Sequence, residues 1–323
     1  MSPNKVRILI SESGGFSPKA AELLGRVGEL VLADLDRSGL LAAVGAADVL
    51  WIRLRNRIDA EVMSTGRHLK VIVTPTTGLN HIDLEEAGRR GIQVLSLRGE
   101  TDFLKDIRAT AEHTLALMLA LLRHIPGATA HVQDGGWNRD LFKGRELHGK
   151  TVGIVGYGRL GRIVARYLKA FGTHLLVADP HVDTRAVEPG LTLVSLAQLL
   201  REAELVTLHV NLCEATWEFF GREQFAAMKQ GAWFINTSRG ELVDEDALLG
   251  ALRSRHLAGA ALDVLCDERS DGMQDHPLVA YAREHDHLIL TPHVGGCTIE
   301  SMEKTELFLA ERLYPVLAAL EGC

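Results

Sequence analysis

One stretch constrains the chain more than any other: residues 151–172, TVGIVGYGRLGRIVARYLKAFG. Residues 151–155 read as a buried strand that runs directly into Gly156-Tyr157-Gly158-Arg159-Leu160-Gly161. Leu160, Ile163, Val164, Tyr167, Leu168 and Phe171 then recur at helical spacing, so a helix follows with one apolar face. Such a strand–turn–helix is built to hold a pyrophosphate. Gly156 permits the tight turn, Gly158 lets the phosphates approach the backbone, and Gly161 lets the helix pack close to the strand. The helix N-terminus adds free N–H groups and the positive end of its dipole. A second strand, residues 174–178, delivers Asp179, near the spacing of about 20 residues expected of an acid that holds the adenosine ribose diol. An acid there repels a 2′-phosphate, so NAD is the expected cofactor, with Arg185 downstream keeping NADP open. A Gly-rich structural turn is the bland alternative, and the acid in place argues against it.

Strand-like and helix-like segments alternate along the whole chain, the pattern of a parallel α/β protein. Strands are expected at residues 6–10, 49–54, 69–73 and 92–95, then at 151–155, 174–178, 205–209, 233–236, 258–262 and 288–290. Helices are expected at 20–27, at 106–125 as one continuous helix ending before Pro126, and at 300–320. A chain of 323 residues exceeds the usual size of one compact domain. The expected fold class is therefore α/β, with two Rossmann/flavodoxin-like, doubly wound parallel-sheet domains and a cleft between them. Residues 1–102 plus 296–323 would form a substrate-binding domain and residues 103–295 the NAD-binding one.

A formal net charge of −7 makes nucleic acid a poor partner, because phosphate binding needs clustered Lys and Arg. The longest apolar run is too short to span a bilayer, and the N-terminus lacks the apolar stretch of a signal peptide. The 4 cysteines are far apart with no CxxC pair, which argues against a metal site or a disulfide scaffold and fits a cytoplasmic protein.

Three later motifs place polar groups just beyond predicted strands. In Asn236-Thr237-Ser238-Arg239-Gly240, Arg239 supplies a planar, permanently charged fork suited to a carboxylate. In Leu262-Asp263-Val264-Leu265-Cys266-Asp267-Glu268, a strand again ends in acids. In Thr291-Pro292-His293-Val294-Gly295-Gly296, His293 is a proton donor suited to reducing a ketone, and a nearby carboxylate would stabilise its imidazolium. Taken singly, Arg239 could be a surface ion-pair partner, His293 a core histidine and Asp263 a turn cap.

The ordered set GxGxxG…Asp, NxxRG, DVxxxE and TPHxGG resembles the D-isomer-specific 2-hydroxyacid dehydrogenase family across nearly the whole chain. Thr77-Gly78-Leu79-Asn80-His81-Ile82-Asp83 is similar to that family's substrate loop. Leu147-His148-Gly149-Lys150-Thr151 is similar to its lead-in to the dinucleotide turn. The resemblance implies an NAD-dependent oxidoreductase that moves a hydride between nicotinamide and C2 of a small 2-oxo/2-hydroxy acid. It implies that Arg239 clamps the carboxylate, that His293 is the acid/base and that Glu268 is its partner. Asp263 would hold the nicotinamide carboxamide. Tyr157, Arg159, Leu160, His209 and Thr237 would be further cofactor contacts, and Arg53, Thr77, Gly78 and Leu79 substrate contacts. The family usually has Pro after the glutamate, where this chain has Arg269. A phosphoglycerate dehydrogenase-like member without a regulatory domain is expected. The alternatives are a formate- or phosphite-type dehydrogenase and an NAD(H)-sensing binding protein of the corepressor type.

Two stretches are distinctive. If the strand at 49–54 persists, Arg53, Arg55 and Arg57 share a face and could bind a second anionic group, or else form a solvated edge that deters sheet pairing. The charged segment 97–106 is expected to shape a substrate pocket. The family resemblance, with the apolar helical stretch at 109–122 and Trp137 beyond it, implies a homodimer through the cofactor domains.

Overall fold

The structure is a computed structural model that describes residues 5–183, 187–268 and 272–321. Arg185 and Arg269, singled out above, lie outside the described residues. The chain divides into two compact units, Met1–Ile107 with Cys297–Cys323, and Arg108–Gly296. The first boundary falls later than the polar turn near residue 100 implied. The reason is a short helix, Thr101–Leu104, whose Leu104 and the following Ile107 are buried in the first unit's core.

In the first unit, β1 (Arg7–Ile10), β2 (Glu29–Leu32), β3 (Val49–Trp51), β4 (Val71–Thr74) and β5 (Gln93–Ser96) form an all-parallel sheet in the order β2-β1-β3-β4-β5. Successive strand residues point to opposite faces, and both faces are covered. Ile8, Ile10, Val49, Trp51, Val71 and Val73 pack under the Pro18–Val27 and Ile299–Glu321 helices. Leu9, Leu50 and Ile72 pack under the helices Arg37–Val44, Ala60–Thr65 and Leu84–Arg89. Ser17, Asp36, Asp59 and Asp83 cap the four short helices that follow β1 to β4.

The second unit holds β6 (Thr151–Val155), β7 (His174–Ala178), β8 (Leu191–Leu193), β9 (Leu205–Leu208), β10 (Ala232–Asn236), β11 (Leu257–Leu262) and β12 (Leu288–Leu290). Their order is β12-β11-β10-β9-β6-β7-β8, again all parallel. Phe234, Val206 and Leu262 go to one core layer, and Ile235, Ile154 and Val177 to the other. Both units are thus doubly wound α/β sheets.

Some expectations change. The helix anticipated over 106–125 is broken in two: Ala109–Leu122 ends at Arg123, His124 turns through a left-handed φ of 53°, and Ile125–Gln133 begins with Pro126 in its first turn. Pro126 therefore starts a helix rather than following one, because its missing N–H matters least there. β2 and β8, not anticipated, are edge strands whose half-exposed residues carry no buried apolar run. Among the described residues no single helix is long and apolar enough to cross a membrane, and no three His, Cys, Asp or Glu side chains are grouped to hold a metal ion.

Candidate active site

All seven strands of the second unit point the same way, so the segments leaving their C-terminal ends share one edge of the sheet. The strand order reverses between β6 and β9, and open α/β sheets bind ligands at such a switch point. The glycine turn leaves β6 there. Gly156 has φ +92°, and a Cβ on it would collide with the carbonyl of His209, which follows β9. A Cβ on Gly161 would strike the Gly156 carbonyl, so helix and turn close tightly only with glycine. Gly158 behaves differently: it caps the Arg159–Ala170 helix, and a Cβ there would meet nothing within 4 Å. The free space in front of this helix N-terminus is the cradle a pyrophosphate needs. Arg159 opens the helix, and burial pulls its guanidinium pKa below the ordinary value. Leu160 packs its side chain against the core.

Asp179 follows β7. Its Oδ2 accepts the Tyr157 N–H at 2.7 Å and its Oδ1 the His181 N–H at 2.9 Å. Each carboxylate oxygen has lone pairs to spare, so the acid can brace the turn and still receive a ribose diol. Tyr157 is buried under the Arg162 guanidinium, 4.3 Å from its ring centroid, and its hydroxyl has no partner. His209 offers Nε2 to Thr207 at 3.1 Å, while its shielded Nδ1 has no partner. Burial pushes the His209 pKa down to about 4, so the ring is neutral near pH 7. The open space at Gly158, the helix N-terminus behind it and the acid after β7 fit a bound dinucleotide.

The catalytic motifs leave the neighbouring strands. His293 Nδ1 lies 2.6 Å from Glu268 Oε2, and Glu268 Oε1 accepts the Leu265 N–H at 2.9 Å. A carboxylate accepts only, so the Nδ1 proton sits between the two groups and Nε2 is left to exchange a proton with a ligand. His293 has a left-handed φ of 53°, a conformation that costs about 1–2 kcal/mol for a side-chain-bearing residue. Asp263 offsets that strain. Its carbonyl accepts the His293 N–H at 2.8 Å, and its carboxylate accepts Thr291 Oγ1, the Val294 N–H and the Gly295 N–H at 2.5, 2.9 and 2.7 Å. Burial raises the Asp263 pKa, but the hydrogen bonds from His113, Thr291, Gly295 and Val294 outweigh it and the net shift is downward.

Arg239 lies just past β10. A Cβ on the adjoining Gly240 would run into the backbone of Leu265 and Cys266, so the arginine motif and the acid motif touch only because this residue is glycine. Burial lowers the Arg239 pKa, opposed by the carboxylates of Glu268 and Glu241. Arginine stays charged through such a shift.

Residues 115–295 match the model of the D-isomer specific 2-hydroxyacid dehydrogenase NAD binding domain. The chain belongs to that family. A D-3-phosphoglycerate dehydrogenase of Mycobacterium bovis is 36% identical over 313 residues, covering 96% of this chain and 57% of the relative. The chain thus spans little more than half the length of that curated relative. A glyoxylate reductase of Thermofilum pendens is 37% identical, with 87% of this chain and 81% of the relative covered. Among solved structures, a Thermus thermophilus protein is similar at 36% identity and TM-score 0.82, with 97% of each chain covered. The D-lactate dehydrogenase of Aquifex aeolicus, solved with NAD and lactic acid, is similar at 27% identity and TM-score 0.80, covering 97% of this chain and 96% of its own.

The dehydrogenase motifs Arg239, Glu268, His293 and Asp263 all fall in the second unit, with the glycine turn. Two cofactor candidates have other partners here: the Thr237 hydroxyl lies 2.8 Å from Thr114, and both Asp263 oxygens are occupied by the chain's own donors. His113 is a residue the sequence reading missed. From the Ala109–Leu122 helix its Nε2 reaches Thr291 at 2.9 Å and Asp263 at 3.1 Å, and nothing local in the sequence marks it.

The substrate candidates lie in the first unit. Thr76 Oγ1 holds the Gly78 carbonyl at 2.8 Å in the loop after β4, Leu79 is buried and Thr77 is exposed. The arginine row does not form. β3 ends at Trp51, Arg53 pairs with Glu306 and Arg55 with Asp34, so two of the three guanidinium groups are already matched by carboxylates. Segment 97–106 packs on the C-terminal helix: Phe103 stacks on Phe308 with centroids 4.0 Å apart, and Glu100 pairs with Arg312 at 2.8 Å. Trp137 is no buried anchor within the chain, being 89% exposed.

Proposed function

We propose that the chain is an NAD-dependent oxidoreductase acting at C2 of a small 2-hydroxy or 2-oxo acid. The observation that carries this reading is the Glu268–His293 pair at 2.6 Å, standing in the same unit as Arg239 and the glycine turn. Gly156, Gly158, Arg159 and Asp179 would hold the dinucleotide, which when bound supplies or accepts the hydride. The Arg239 fork would clamp the substrate carboxylate and polarise the C2 oxygen. His293 Nε2 would give that oxygen its proton, or take it in the reverse direction, with Glu268 keeping the ring in the right tautomer. The buried, neutral His209 adds no competing charge near the turn.

Exposed Ile125, Val132, Trp137 and Leu141 lie close together along the chain and support a homodimer through this unit. Free thiols at Cys213, Cys266 and Cys297 are in keeping with a reducing, cytoplasmic setting.

The experiment is NADH oxidation against glyoxylate, pyruvate, hydroxypyruvate, 3-phosphohydroxypyruvate and oxaloacetate, with His293→Ala as the control. Turnover that falls at least about a hundredfold in the variant supports the reading. NADH binding without turnover of any acid would sink it and favour a dinucleotide-sensing role. Light scattering that finds a monomer would remove the dimer.

A further inference from the structure

The carboxylate that faces His293 stands on a backbone that needs holding. Glu268 ends the segment 264–268 that leaves β11, and Asp267 beside it has a left-handed φ of 55°. A residue with a side chain keeps such a conformation only when its surroundings impose it. Two residues grip the backbone just before it. Gly240 lies against Leu265 and Cys266, where a Cβ would collide. The other is Glu245, which neither the motifs nor the proposed reaction accounts for. Its Oε1 accepts the Cys266 N–H at 2.7 Å, and its Oε2 lies 3.0 Å from His276 Nε2. His276 Nδ1 accepts the Leu278 N–H at 3.3 Å, so the ring proton sits on Nε2 and is donated to Glu245. All these groups belong to the second unit.

Helix capping does not explain Glu245. It opens the Glu245–Arg253 helix, but Asp244 already caps that helix by accepting the Ala247 N–H at 2.9 Å. An acid in the first turn gains from the helix dipole wherever its side chain points, so the helix does not require it to turn toward Cys266. The Glu245 side chain is only 18% exposed, and burial is the largest cause of its raised pKa, opposed by the Cys266 N–H and His276. Withdrawing a carboxylate from water is unfavourable, and the two donors offset that cost. The arrangement secures two consecutive amides. The Leu265 N–H goes to Glu268 Oε1 and the Cys266 N–H to Glu245 Oε1, while Glu268 Oε2 reaches His293 Nδ1 at 2.6 Å. A second histidine–carboxylate pair, His276–Glu245, thus stands behind the first, joined to it through adjacent backbone N–H groups.

We propose that Glu245, itself held by His276, is a positioning residue for the reaction: it fixes the backbone at 265–268 so that Glu268 meets Nδ1 of His293. This rests on the oxidoreductase reading above. Glu245 and His276 act through Glu268 and do not touch the reacting atoms. In Glu245→Gln the amide offers one acceptor to two donors, so an NH2 must face either the Cys266 N–H or His276 Nε2. A small displacement of Glu268 then slows proton transfer while the groups that bind acid and dinucleotide stay in place.

The test is a double-mutant cycle on the full chain: wild type, Glu245→Gln, Glu268→Gln and the double variant. Each is assayed for kcat and KM with NADH and glyoxylate, or with whichever acid of the panel above the wild type turns over fastest. Glu245→Gln is expected to lower kcat about tenfold, with KM for the acid and NADH affinity within about twofold of wild type. The double variant should be no slower than Glu268→Gln alone, within about twofold, because Glu245 has nothing left to position. A merely structural role would instead multiply the two losses, and that result overturns the proposal. A kcat for Glu245→Gln within about twofold of wild type also overturns it, as does an equal loss of NADH affinity. If Glu245→Gln does not fold, His276→Ala takes its place in the same cycle and is read by the same outcomes. Absence of any wild-type turnover overturns the oxidoreductase reading and the proposal with it, whereas wild-type turnover with additive losses overturns only the proposal.

Discussion

Replacing Asp263 with Asn separates two roles for this residue, a contact to the nicotinamide and a clamp on the chain's own loop. Asp263 is 1% exposed and takes three donors at 2.5, 2.7 and 2.9 Å, with His113 Nε2 a fourth at 3.1 Å. Backbone N–H groups reach both of its oxygens, so an Asn NH2 must face at least one of them whichever way the amide turns. A hydrogen bond to a charged group contributes about 1.5–3 kcal/mol, and a buried donor left unmatched costs about as much again, so the loss is about 3–5 kcal/mol. In a unit of this size each kcal/mol lowers the melting midpoint by about 2–4 °C, so a drop of about 10 °C is expected. The assay is thermal unfolding of cofactor-free protein followed by circular dichroism. The acid limb also carries information. The folded pKa of Asp263 lies below its ordinary 3.8, so its stabilisation is present above that value and is lost as pH falls through the folded pKa; the Asn variant should lack this loss. A cofactor-free midpoint within about 2 °C of wild type, with weakened NADH binding, would refute the clamp and restore the nicotinamide contact as the main role.

His209 makes stability depend on pH in the same direction, in a higher window. Its folded pKa of about 4 lies below the ordinary 6.5, so the unfolded chain takes up a proton that the folded one refuses, and stability falls as pH drops through that window. Between about pH 7 and pH 5 the loss should approach about 2 kcal/mol by urea unfolding, and His209→Asn should flatten it. Gly240→Ala should cost about 3 kcal/mol or more, since its Cβ would meet the backbone of Leu265 and Cys266; a wild-type denaturation midpoint would contradict that packing. Glu268→Gln should lower kcat about a hundredfold while changing KM little, and an unchanged kcat would mean that Glu268 does not orient His293.

Elements whose signal is local were legible in the amino-acid order. The glycine turn could be read because three glycines, a preceding apolar run and a following helical period each constrain the backbone within 22 residues. The central strands β1, β3, β4, β6, β7, β9, β10 and β11 were legible because both sheet faces are covered, so they read as continuous apolar runs. Arg239 and Glu268 were legible for the same reason, each following the end of such a strand, whereas His293 follows the edge strand β12 and was legible from its own motif.

Features that depend on partners far along the chain became visible once the chain was folded. Edge strands β2 and β8 bury too little to leave a pattern. The break at His124 depends on a backbone turn that no residue type there requires. Whether Asp263 faces a ligand or the chain itself depended on His113, 150 positions away by number, and on the loop at 291–295. Arg53 looked in sequence like a free cation beside two others. It is a matched one because a helix about 250 residues later sets Glu306, buried, against it, a pairing in which charge, burial and distance act together and none is visible from either segment alone.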